Sequence, residues 1–147
     1  VYVLDTDTIG NALHRSNAYP HLVRKIRDAN QRELWISVVT AEELIAWGFN
    51  AVRDRRNQGY PHIINKYKIL YDRLNDLKSL QILPFDEAAY REFTSIPPDV
   101  QRVIGTNDRR IAATALSRGF TIVTHNVGHF SLVPHLNVED WTAAPPT

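Results

Sequence analysis

The 147-residue chain contains no cysteine. Disulfides, thiol nucleophiles and thiolate zinc sites are therefore excluded, and the composition suits a reducing compartment such as the cytoplasm. Methionine is absent too, and the chain starts at Val1, so the initiator and a few N-terminal residues are expected to be missing from it. No apolar run approaches the roughly 18 residues of a membrane span, and no signal peptide opens the chain. Neither sign of charge is in excess: 17 Lys and Arg stand against 16 Asp and Glu, a net charge of +1. Net charge thus gives no signal for nucleic acid. Local clusters (Arg53, Arg55 and Arg56; Arg109 and Arg110; Arg24, Lys25 and Arg27) suit phosphate or a solvated helix face. Repeats, low-complexity tracts and linkers are lacking, so one domain over 1–147 is expected, with 143–147 as a frayed tail.

What is present alternates between strand and helix signals. Val1–Leu4 reads as a short buried strand, and Thr8–Arg15 as the start of a helix. Pro20–Ala29 carries Leu22, Val23 and Ile26 at helical spacing. Glu33–Val39 is rich in β-branched and aromatic residues and reads as a second strand. Thr40 suits the N-cap of a helix from Ala41 towards Arg56, and Thr40-x-x-Glu43 matches a capping box. Asn57–Pro61 breaks the chain before a long amphipathic helix over His62–Leu80. Ile82-Leu83 starts a third strand, and Asp86–Phe93 another helix. Pro97-Pro98 interrupts, and a helix opening at Asp108 is ended by Gly119. Phe120–Thr124 and Asn137–Trp141 are the last strands, separated by a loop over His125–Phe130. The alternation predicts a three-layer α/β/α domain with a mainly parallel central sheet.

Three acidic residues stand where apolar runs stop. Asp5 ends Val1–Leu4, Glu43 follows Leu34–Val39, and Asp108 opens the run Arg109–Leu116. In a parallel sheet, side chains just past the strand C-termini converge on one edge. Asn126 and His129 follow the strand Phe120–Thr124 and can join the same rim. Clustered carboxylates repel and raise at least one pKa, and a divalent cation such as Mg²⁺ or Mn²⁺ relieves that repulsion. A water held and acidified there could attack a phosphodiester in line. Each residue also has a plainer role: Asp5 in a turn or cap, Glu43 capping its helix, Asp108 at the positive helix end, Asn126 in a turn, and His129 as an ordinary half-buried histidine.

Leu4-Asp5-Thr6-Asp7, Ser37–Leu44, Asn107–Leu116, Thr121–Phe130 and Val138–Trp141, in that order, resemble the PIN-domain family. The likeness is greatest to the VapC-type toxins of prokaryotic toxin–antitoxin modules and covers nearly the whole chain. It implies a metal-dependent endoribonuclease with Asp5, Glu43 and Asp108 as its catalytic, metal-holding acids. Glu42 competes with Glu43, but Glu43-Leu44 fits the family's Ala-Glu-Leu pattern better. Many members carry a fourth acid where this chain has His129, within Asn126-Val127-Gly128-His129-Phe130. A histidine there lowers the negative charge and weakens a second metal position; it could hold phosphate or protonate the leaving oxygen, or leave the enzyme slow. Asp7 could restore some charge, or cap the first helix. The resemblance further implies structured RNA as substrate (tRNA or ribosomal RNA), an antitoxin whose C-terminal segment blocks the groove, and a homodimer. Trp47, Phe49 and the His62–Leu80 face are candidate contact surfaces, or ordinary core.

Two rival readings remain open at this point. Val3-Leu4-Asp5-Thr6-Asp7-Thr8 resembles the Asp-x-Asp-x-Thr signature of haloacid-dehalogenase-like phosphatases, with Asp5 as nucleophile and Asp7 as acid/base. Such enzymes need a late acidic pair, and this chain has Thr124-His125-Asn126 instead. Alternatively, a PIN-like domain lacking its fourth ligand could bind RNA or a partner without cutting.

Overall fold

Strand β1 (Tyr2–Leu4) is the centre of the molecule, and every other strand is ordered about it. A computed structural model describes residues 1–144, so residues 145–147 of the expected tail lie outside the described residues. Strands β2 (Leu34–Ser37), β3 (Ile82–Leu83), β4 (Thr121–Val123) and β5 (Val138–Glu139) complete a five-stranded sheet in the order β3-β2-β1-β4-β5. All four pairings are parallel, with Leu4 beside Ile36 on one side and Val123 on the other. The chain builds outward from β1 through β2 to β3, then returns to β1's other side for β4 and β5. The gap between β1 and β4 is therefore the switch point, where open α/β sheets leave a crevice at their carboxyl ends.

Both sheet faces are buried, as parallel sheets require. Leu4, Ile36 and Val123 face one core with Ile9, Leu22 and Leu44. That layer belongs to α1 (Thr6–His14), α2 (Pro20–Asp28) and α3 (Val38–Arg53). Val3 and Ile122 face the other core with Ile111, Ala112 and Ala115. Its helices are α5 (Glu87–Ser95), α6 (Pro98–Val103) and α7 (Thr106–Leu116). Helix α4 (His62–Lys78) lies along α3, and the short α8 (Val127–Phe130) follows β4. Among the described residues, no helix is long and apolar enough to cross a membrane.

The expected three-layer α/β/α architecture with a parallel sheet is present, and several boundaries differ for identifiable reasons. Helix α1 opens at Thr6 because Asp5, not Asp7, caps it, accepting a hydrogen bond from Thr8 N at 2.8 Å. Helix α3 opens at Val38 because Ser37 is the cap, its hydroxyl accepting from Thr40 N at 3.0 Å. The Thr40–Glu43 capping box therefore does not form. Pro98 starts α6 as its first residue, where proline's fixed φ suits a helix and its missing N–H is not needed. Part of the expected 125–130 loop is the single-turn α8. Gly119 adopts φ +66° just past α7, the left-handed conformation that suits glycine at a helix end.

Candidate functional site

The carboxyl ends of β1 and β4 are tied to each other by side chains. Asp5 leaves β1 almost fully buried, 5% exposed. Its Oδ1 accepts from Thr8 N, and its Oδ2 accepts a short hydrogen bond from the Thr124 hydroxyl, one residue past β4. Thr124 Oγ1 also accepts from Asn126 N at 2.9 Å. Thr124 thus joins the β4 loop to Asp5, and α1's N-terminal dipole favours charge at the same carboxylate. Burial nevertheless raises the Asp5 pKa above its ordinary value, against these hydrogen bonds, and the charge of Asp7 adds to the rise.

Neighbouring hydroxyls fix the adjacent helix starts. Thr6 Oγ1 donates to Thr40 Oγ1 at 3.2 Å, and Ser37 Oγ donates to the same oxygen at 3.3 Å. These buried groups hold the first turn of α1 against that of α3. Glu43 follows less than a turn beyond Thr40, half-buried, while Glu42 is exposed. Glu43 Oε1 accepts from Asn107 Nδ2 at 2.8 Å, and Asn107 Oδ1 accepts from Arg110 at 3.1 Å. Arg109 and Arg110 both lie over the Phe93 ring, at 5.4 and 5.9 Å.

Asp108 stands where these elements converge. Burial raises its pKa, and the charges of Asp5, Glu43 and Asp7 raise it further. His129 acts in the opposite direction on the same carboxyl. Asp7 and Asn126 are exposed, as is His129, whose Nδ1 lies 2.9 Å from Asn126 Nδ2. All six sequence-derived candidates therefore fall around one sheet edge. Among the described residues, no three His, Asp or Glu side chains close on a common point that would hold an ion.

The donor set has a definite chemical character. Carboxylate oxygens with no thiolate suit a hard cation such as Mg²⁺ or Mn²⁺. Burial is the main cause of the raised Asp108 pKa; the neighbouring carboxylate charges add to it, and such an ion would relieve that added repulsion.

Sequence reasoning overlooked Thr124, Asn107 and the Thr6–Ser37–Thr40 group. Thr124 carried a usable signal, since it follows the apolar pair Ile122-Val123 on the strand next to β1. Asn107 had only its place beside Asp108. The basic clusters divide: Arg56 is spent on Asp54 at 3.0 Å and Lys25 lies over Trp141 at 5.5 Å, whereas Arg110 reaches the site through Asn107.

The model of the PIN domain matches residues 2–135. The chain belongs to the PIN-domain family. Among curated relatives, the tRNA(fMet)-specific endonuclease VapC of Shigella flexneri is 31% identical over 126 residues, covering 84% of this chain and 86% of that protein. The protein of the same description from Salmonella typhimurium is 26% identical over 143 residues, covering 95% and 97%. Among solved structures, VapBC-1 from nontypeable Haemophilus influenzae superposes with a TM-score of 0.64 at 26% identity, covering 97% and 98%. Within the PIN domains this chain is of the VapC type. The phosphatase signature at Asp5–Thr8 is thereby a local coincidence, its second aspartate being the exposed Asp7 in the first turn of α1.

Proposed function

We propose that this PIN domain is a metal-dependent endoribonuclease, the toxin of a VapBC-type pair, that hydrolyses RNA phosphodiester bonds in the cytoplasm. One observation carries the reading: Asp108 on α7 feels the charges of Asp5 and Asp7 at the start of α1 and of Glu43 on α3, so three separate segments bring their carboxylates together. A half-buried carboxyl crowded by neighbouring carboxylates costs folding energy unless a cation uses it. Asp5, Glu43 and Asp108 would hold Mg²⁺ or Mn²⁺, which when bound supplies an acidified water and charge stabilisation at the phosphoryl oxygens.

The chain's own groups do the positioning. Thr8 N and the Thr124 hydroxyl hold Asp5 in one rotamer, and Asn107 holds Glu43. Exposed Asp7, Asn126 and His129 line the outer rim, where a substrate strand would pass. His129 is suited to contact a phosphate oxygen or give a proton to the leaving oxygen, since an imidazole titrates near neutrality. RNA as substrate, tRNA in particular, follows the names of the Shigella and Salmonella relatives. An antitoxin partner follows the VapBC complex among the structural neighbours, and a homodimer is part of the same reading.

A second reading has a specific observation behind it. With histidine at position 129 and, among the described residues, no three acidic or histidine side chains closing on one point, the domain would bind RNA or a partner without cutting. Incubating purified protein with a mixed RNA pool separates the two. Mg²⁺- or Mn²⁺-dependent cuts, lost with EDTA and with Asp5→Asn, support the nuclease. A folded protein that takes up metal and leaves all RNA intact supports the binding domain.

A further inference from the structure

Away from the carboxylates, along α1, a cavity of about 170 Å³ lies between α1, α3 and α4. Asp7, Asn11, His14 and Arg15 line it from α1, Trp47 from α3 and Arg73 from α4. Residues 7, 11, 14 and 15 share one face of the helix, so the cavity is a groove running outward from Asp7. Asp7 stands two residues after Asp5, in the first turn of α1. Groove and carboxylate rim therefore meet at Asp7.

Its walls have a particular chemistry. Trp47 is 43% exposed, unusual for the largest side chain. Its indole lies against α1 at Gly10, where a Cβ would stand 3.6 Å from the ring. Opposite, Arg73 is fixed: its guanidinium lies 2.6 Å from His14 Nε2 and 3.7 Å from Asp76, and its Nε–H has no hydrogen-bond partner. Burial and the Arg73 charge hold His14 below its ordinary pKa, against the pull of Asp76, whose Oδ2 lies 3.2 Å from His14 Nε2. Arg15 is exposed at the outer end and makes no ion pair among the described residues.

We infer that this groove is a nucleotide subsite of the RNA path: one base stacks on Trp47, Asn11 reads its edge, and Arg15 takes a flanking phosphate. A volume of about 150 Å³ accommodates a six-membered aromatic ring, so a single pyrimidine base fits. Aromatic and guanidinium planes are the usual platforms for unstacked bases, and an amide both donates to and accepts from a base edge. The inference rests on the nuclease reading and adds to it a determinant of which nucleotide lies next to the cut.

The test is binding in EDTA, where no cleavage occurs. Tryptophan emission is followed as a short single-stranded RNA oligonucleotide is added to wild type, Trp47→Phe, Trp47→Ala and Arg15→Ala, each checked for folding by circular dichroism. Wild-type emission is expected to be quenched, and Trp47→Phe to lose that quenching while still binding. Trp47→Ala is expected to bind about tenfold or more weakly. Arg15→Ala should lower the slope of log affinity against log salt by about 0.7, one phosphate's share on a single strand. RNA cut by wild type but bound equally by all variants, with no quenching, overturns the subsite and leaves the nuclease intact. A wild type that neither binds nor cuts RNA overturns both.

Discussion

Asn107 and Glu43, 64 residues apart, are joined by one hydrogen bond, Nδ2 donating to Oε1 across 2.8 Å. The amide's other end accepts from Arg110, so Asn107 cannot turn without breaking a second bond. Asn107→Ala is therefore expected to free Glu43 to rotate while removing little buried surface. Groups that orient metal-holding side chains are worth roughly 10–100-fold in metal affinity. Mn²⁺ titration should weaken within that range, and RNA cleavage should fall with it, at nearly unchanged Tm. Unaltered Mn²⁺ affinity would show that Glu43 needs no such support.

Asp5 is both helix cap and buried carboxylate, and the two roles can be separated. Asparagine caps a helix about as well as aspartate, because its side-chain oxygen accepts the same N–H. Asp5→Asn should keep the Thr8 bond and remove the charge whose burial raises the Asp5 pKa. Its Tm is expected to stay within about 3 °C of wild type or to rise, while cleavage disappears. Asp5→Ala leaves Thr8 N and the Thr124 hydroxyl without their acceptor and should cost about 1–2 kcal/mol, or several degrees in Tm. Thermal melts of the two variants check this; an equally destabilised Asp5→Asn would mean that the charge itself holds the fold.

The raised pKa values of Asp5 and Asp108 set the sign of a pH effect. Between the ordinary aspartate value of 3.8 and the raised folded value, the folded state holds more protons than the unfolded state. Stability contributed by these groups is then present at low pH and lost as pH rises through their folded pKa values. His14, lowered in the folded state, works the other way near its ordinary value of 6.5. Comparing wild type with Asp108→Asn in EDTA cancels His14. The variant's advantage in Tm should grow from pH 4 towards neutrality and shrink when Mn²⁺ is added. A difference independent of pH would dissociate Asp108 from the repulsion described above.

The parallel sheet, the three layers and the placing of Asp5, Glu43 and Asp108 near element starts could be read because they rest on local signals. Short apolar runs ending in a carboxylate mark strand ends, and amphipathic spacing marks the helices between them. Caps were harder, because Ser37 and Thr40 are both good caps three residues apart, and only packing decides that Ser37 takes the position while Thr40 turns to Thr6. Helix α6 was hidden because Pro97-Pro98 looks like a break, although Pro98 is an acceptable first helical residue. Partners such as Thr124 for Asp5 and Asn107 for Glu43 depend on contacts across 119 and 64 residues, which no local pattern encodes. The groove at Trp47 is equally non-local, since its walls come from three helices.

Glu42 and Glu43 are adjacent but face different surroundings. Glu42 is exposed on α3, while half-buried Glu43 is held by Asn107 and acts on Asp108. Glu43→Gln is expected to abolish cleavage and to lower the Asp108 pKa towards its ordinary value, measurable by NMR titration of its side-chain carboxyl. Glu42→Gln should leave both near wild type. The reverse pattern would move the second acid to position 42.

His129 is the one position where this site carries an imidazole near Asp108 in place of a further acid, and its effect on Asp108 opposes that of the carboxylates. His129→Asp would therefore add repulsion to an already crowded rim. Without metal, the variant should melt below wild type, since one more carboxylate joins Asp5, Glu43, Asp7 and Asp108. With Mn²⁺ the order should reverse: an added oxygen donor tightens binding, and stabilisation grows as RT ln(1 + [L]/Kd), so a tenfold lower Kd adds about 1.4 kcal/mol at saturating metal. Melts in EDTA and in a Mn²⁺ series read both effects from one protein. If Mn²⁺ stabilises His129→Asp no more than wild type, position 129 lies outside the metal's reach, and its imidazole acts on RNA alone.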